Sequence, residues 1–135
     1  MSTKLEAAQA LNDLRGFIGR SQLYAIADAA RGEEKQFFFD KLVEMAGIVR
    51  TMPKTHETDG HGESATVHLH YFMGGMDWYI TEKDMETEQL QAFGLADLGY
   101  GGEIGYISLV EVLNAAAELD LHFTPRPIAS ITDRG

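Results

Sequence analysis

Four of the five histidines fall in one stretch, His56, His61, His68 and His70. His68 and His70 are two apart, so on a strand both rings leave the same face. With His61, or a carboxylate such as Glu63 or Asp77, they form a candidate zinc or iron ligand set. The same pair on a solvated strand is ordinary polar surface, and a spacing of two leaves the third ligand undefined. Nucleophilic chemistry finds less support. Ser64 and Ser108 lie in no Gly-x-Ser-x-Gly elbow, and the chain has no Cys. Gly99-Tyr100-Gly101-Gly102 is followed by Glu103 rather than by a cation, which fits a turn better than a phosphate cradle. No catalytic residues and no cofactor are expected.

Charge is more informative. Residues 1–63 hold 8 basic and 10 acidic residues, and residues 64–135 hold 3 and 11, so -8 of the net -10 lies in the second part. Glu82, Asp84, Glu86 and Glu88 crowd one connecting segment with only Lys83 opposing them, and Asp97 and Glu103 are expected to extend the patch. Such a surface steers a cationic partner toward it. The competing reading of the same charges is a solubilising surface. Tyr100, in a Gly-rich turn, is the aromatic expected to be exposed for contact, while Trp78 is expected to anchor sheet to helices. Residue chemistry therefore predicts a non-enzymatic acidic binding protein, with Glu82, Asp84, Glu86, Glu88, Asp97, Tyr100 and Glu103 as its partner-binding residues. The partner is a protein with a basic surface. A metal-dependent enzyme or metal-stabilised domain on His61, His68 and His70 stays open as the alternative.

The elements that hold these residues follow from periodicity. Ala7, Leu11, Leu14 and Ile18 form one helical stripe, and Ser21 is a plausible cap for a short second helix ending near Gly32. Phe38, Leu42, Met45, Val49 and Met52 give a third helix, which Pro53 ends. From Ser64 the pattern alternates. Val67, Leu69 and Tyr71 are expected on one face and His68, His70 and Phe72 on the other. Gly74 and Gly75 turn the chain into a strand over Trp78–Thr81. Further strands are expected within Gln89–Leu98 and over Glu103–Ile107. Ser108 with Glu111 then starts a short helix, Asp120–Phe123 forms a last strand, and Pro125 and Pro127 end the regular structure. The fold class is α+β, with N-terminal helices on a mainly antiparallel sheet of four to five strands and one inserted helix.

The 135 residues fit a single domain over 1–135, with a helical part at 1–53 and a sheet part at 64–127. Hydrophobic residues make up 44% and charged residues 24%, which excludes wholesale disorder. An acidic chain lacks the clustered cations of a direct nucleic-acid or anionic-membrane binder. With no apolar run of membrane-spanning length and no apolar leader, a cytoplasmic location is expected.

The runs His68-Leu69-His70-Tyr71-Phe72, Asp77-Trp78-Tyr79-Ile80-Thr81-Glu82, Ala92-Phe93-Gly94-Leu95 and Gly99 to Leu109 resemble a family of uncharacterised proteins. Members occur on bacterial plasmids, integrative elements and prophages. Leu119 to Pro125, and upstream Ala30 to Glu34 with Phe37-Phe38, extend the likeness over most of the chain. The resemblance implies a domain of unknown function with no assigned catalytic residues. Its genomic setting implies a counter-defence inhibitor (anti-CRISPR or anti-restriction), whose partner is a nucleic-acid-binding defence complex in a bacterial host. An accessory role in plasmid maintenance or transfer is the other implication.

Overall fold

The computed structural model describes residues 1–132. Helix α1 (Lys4–Asp13) opens with a reciprocal cap, in which Thr3 accepts from the Glu6 amide and Glu6 from the Thr3 amide. Helix α2 (Arg20–Ala29) starts two residues earlier than its hydroxyl cap predicts, because Gly19 is the extended cap residue and Ser21 lies in the first turn. Helix α3 (Lys35–Thr51) ends where Met52 turns extended ahead of Pro53.

Seven strands and two short helices follow: β1 (Thr66–Val67), β2 (Leu69–Met73), β3 (Met76–Glu82), β4 (Gln91–Asp97), β5 (Gly102–Ser108), α4 (Leu109–Asn114), β6 (Glu118–Leu119), β7 (Arg126–Pro127) and α5 (Ile128–Thr132). Strands β2 to β5 form an antiparallel meander, and β6 pairs with the free side of β2, giving the order β5-β4-β3-β2-β6. The α+β architecture expected from periodicity is present: N-terminal helices, a five-stranded antiparallel sheet and an inserted helix. Ser108 caps that helix by accepting from the Glu111 amide.

One face of the sheet carries the main core. Leu69, Tyr71, Trp78, Ile80, Ala92 and Ile107 pack with Leu14, Leu42, Met45 and Val49 of the helical part in a single buried cluster. Trp78 belongs to this cluster, as its size predicted. Tyr71 is more central: it is fully buried and its hydroxyl donates to the Phe17 carbonyl at 2.5 Å, tying the sheet to the chain after α1. Burial pushes its phenol pKa well up.

The second face differs from expectation. Val67 packs with Tyr79, Leu95, Phe123, Ile128 and Ile131, whereas Leu69 and Tyr71 face the helices. Alternation therefore breaks at His68, where β1 ends and β2 begins. Strand β1 instead pairs with β7 in a separate two-stranded sheet. Residues 120–123 are a turn rather than a strand, the pairing having moved to Glu118–Leu119. Regular structure also continues past Pro125 and Pro127. Neither proline needs an N–H in these places, since Pro125 precedes β7 and Pro127 precedes α5.

A bulge between Ile80 and Glu82 shifts the register of β3 against β4. It brings Tyr79 O to where a Cβ on Gly94 would lie, 2.0 Å away, so only glycine fits there. Among the described residues no helix is long and apolar enough to cross a membrane.

Candidate functional site

The predicted metal ligands are not brought together. His61 sits exposed ahead of a short 3-10 turn at Gly62–Ser64. His68 is half-buried, and desolvation holds its pKa below the ordinary value. His70 has no nitrogen to spare: Nε2 lies 2.7 Å from Asp77 Oδ1, and Nδ1 lies 3.0 Å from Asp120 Oδ2. Its ring stacks on Tyr79, with centroids 4.7 Å apart. Both ring nitrogens face a carboxylate, so this ring is a clasp between β3 and the turn after β6. No group of three or more His, Asp or Glu arranged to hold a metal occurs among the described residues.

The acidic residues divide rather than gather. Glu82, expected at a solvent-facing loop, is 2% exposed. Its carboxylate accepts from the amides of His56 (2.9 Å) and Thr58 (2.8 Å) and from the Thr58 hydroxyl. The bulge in β3 turns this side chain inward, where the loop 54–62 closes over it. It anchors the loop 54–62 to the end of β3. Asp84 is also committed, accepting from the amides of Glu86, Leu90 and Gln91. The amide of Glu86, then those of Gln91 and Leu90, hold its carboxyl pKa below the ordinary value against a desolvation cost. Glu86 and Glu88 remain exposed beside it.

Asp97 and Glu103 do not extend that patch. Asp84 binds the Gln91 amide at the start of β4, whereas Asp97 ends β4 and pairs with Gly102 at the start of β5. Six steps of strand separate the two acidic groups by about 20 Å. Expecting one epitope fails because β4 runs its full length between them.

The hairpin joining β4 to β5 presents a different surface. Tyr100 is 97% exposed at its tip, as its Gly-rich neighbours predicted, and Leu98, Ile104 and Tyr106 are each about half exposed. Gly99 and Gly101 take positive φ of 102° and 99°, which an L side chain rarely adopts, so the tyrosine is held out on a glycine-flanked turn. Strand β5 pairs on one side only and lies at the edge of the sheet. From Gly102 to Glu103 and Ile104 it is exposed on both faces, because the helices reach only as far as Ile107. Asp97 and Ile104 share the face opposite the helices, while Glu103 points to the other. The sequence signal for this site was the absence of cations: from Asp84 to Pro125 there is no Lys or Arg, against eight carboxylates.

The segment holding this hairpin can be placed among known proteins. A family profile described as a protein of unknown function (DUF2958) matches residues 42–129. The chain belongs to that family. No curated protein and no solved structure matches it. The DUF2958 segment begins within α3 and takes in all seven strands, so the edge strand, the hairpin tip and the acidic loop all lie inside it. Helices α1 and α2 lie outside the DUF2958 match, although α1 contributes Ala7 and Ala10 to the same core.

One further contact ties the DUF2958 edge strand to the loop over Glu82. The Tyr106 hydroxyl lies 3.4 Å from His56 Nε2, and His56 Nδ1 lies 3.2 Å from Asp59 Oδ2. His56 has the left-handed backbone (φ 75°) that this placement requires. Spacing in the sequence gives no hint of it, since 50 residues separate His56 from Tyr106.

Proposed function

We propose that this protein is a non-enzymatic binding module that offers the free edge of β5 and the Tyr100 hairpin to an extended, cationic segment of a partner protein. The observation that carries the reading is the edge strand itself, unpaired on one side and exposed on both faces over Gly102–Ile104. An unpaired row of backbone N–H and C=O groups is a template for an added strand. Exposed Tyr100, Ile104 and Tyr106 supply apolar anchoring, and Asp97 and Glu103 supply charge on either face. A second copy of this chain fits less well. Pairing two such edges would bring together two surfaces without cations in a molecule of net charge -10.

The setting implied by the resemblance, a mobile element opposing host defence, would make the partner a protein of a nucleic-acid-handling complex. Such proteins carry the basic segments this edge would accept. Glu86 and Glu88, at the far end of the sheet, would then steer approach without touching the docked strand.

A photo-crosslinking residue placed at Ile104 tests this, with one at exposed Tyr24 on α2 as the control. In host lysate the position-104 adduct should map to a Lys- and Arg-rich segment. Its yield should fall with salt and with Glu103→Lys. Equal adducts from position 24, an adduct on a segment without cations, or an adduct only with a second copy of the chain would overturn the reading.

A further inference from the structure

Four of the 11 Lys and Arg side chains line one cleft of about 480 Å³, between the end of α1, the end of α3 and the loop after β3. They are Arg15, Arg50, Lys54 and Lys83. In so acidic a chain this convergence runs against the overall charge.

Backbone pairing holds two of the cations together. Lys54 and Lys83 are partners in an isolated parallel bridge, with the Lys83 amide donating to Pro53 O and the Thr55 amide to Lys83 O, both at 2.9 Å. Like charges held side by side repel. Desolvation, then the Lys54 ammonium, hold the Lys83 pKa below its ordinary value, with Glu57 opposing. Lys83 Nζ donates to the Val49 and Arg50 carbonyls at the C-terminus of α3, the end of a helix that favours a cation.

The carboxylates in the cleft are largely committed. Asp13 pairs with Arg50 at 2.8 Å, and Asp84 is tied to loop amides but keeps its charge, so Asp84 and Glu86 face the three cations Arg15, Lys54 and Lys83. Neither Arg15 nor Lys54 has a carboxylate within ion-pair distance among the described residues.

We infer that this cleft binds a small organic phosphate. A guanidinium and two ammonium groups suit a phosphate. The volume falls in the range of small-molecule sites and exceeds what a bare phosphate fills, and exposed Met85 offers an apolar contact for the rest of the ligand. A nucleic-acid strand fits less well, because a polyanion extending past the cleft would meet Glu88 in addition to Glu86, whereas a compact anion within the cleft meets Glu86 alone of the two. The cleft adjoins the opposite end of β4 from the Tyr100 hairpin, so this inference and the docking reading fail separately.

The test is an NMR titration of the full chain with adenosine monophosphate, inorganic phosphate and a short single-stranded DNA, each in turn. The nucleotide should give saturable shifts at Arg15, Lys54 and Lys83, tighter than inorganic phosphate. Arg15→Gln and Lys54→Gln should each weaken it about ten- to a hundredfold, the worth of one charge-assisted hydrogen bond, while Lys35→Gln on α3 should not. Both test positions are exposed, so melting temperatures should match the wild type and confirm the fold. Absence of saturation, equal binding of inorganic phosphate, preference for DNA, or an equal loss in Lys35→Gln would overturn the inference.

Discussion

Glu82 Oε2 accepts the backbone N–H of Thr58 at 2.8 Å, across 24 residues, and so pins the loop 54–62 against the end of β3. The Thr58 hydroxyl reaches the same oxygen and the His56 amide reaches the other. A buried carboxylate is costly to desolvate, and three donors offset that cost. The loop in turn gives His56 its position beside Tyr106 of the edge strand.

Glu82→Gln replaces one acceptor oxygen by an N–H donor facing other donors. Stability in urea unfolding should fall by about 2–3 kcal/mol. Hydrogen exchange at the His56 and Thr58 amides should rise by more than exchange in the main core. A variant within about 0.5 kcal/mol of the wild type would show that the carboxylate does not hold the loop.

Gly94→Ala should be more damaging than its single methyl suggests. The new Cβ would lie 2.0 Å from Tyr79 O and 3.0 Å from Ile80 Cα, both backbone atoms of the bulged strand. Relief requires moving β3 or β4, at a cost at or above the roughly 1–3 kcal/mol typical of overpacking. Thermal unfolding checks this against Gly75→Ala, where a Cβ would meet nothing within 4 Å. Equal melting temperatures for the two variants would mean the bulge is more pliant than its geometry implies.

His68 should make stability depend on pH in a defined direction. Desolvation lowers its folded-state pKa from the ordinary 6.5, so below that value the unfolded chain binds the proton first. Unfolding then takes up protons, and stability falls as pH drops from 6.5 toward the lowered folded-state value. Above 6.5 the contribution vanishes, since both states are neutral. His68→Asn should flatten the slope of unfolding free energy against pH in that window. An unchanged slope would place its origin elsewhere.

The α+β class, the helical stripe through Leu42, Met45 and Val49, the Gly74-Gly75 turn and the exposure of Tyr100 were legible because each depends on neighbours a few residues away. Helical period, strand alternation and glycine at a turn are local properties of the chain. The candidate sites were legible only in part. The sequence showed a charge imbalance and a group of histidines, and both expectations assumed that nearness along the chain means nearness in space.

Tertiary structure decided the rest. Asp97 and Glu103 were separated from Glu86 and Glu88 by the length of β4, and Glu82 was taken inside by a one-residue bulge. His70 was claimed by Asp120, 50 residues away, and Lys54 was set beside Lys83 by a bridge between two loops. Composition and period fix which residues prefer water and which element each joins. Register, bulges and strand order fix which charges meet, because they depend on hydrogen bonds between segments whose spacing along the chain carries no signal.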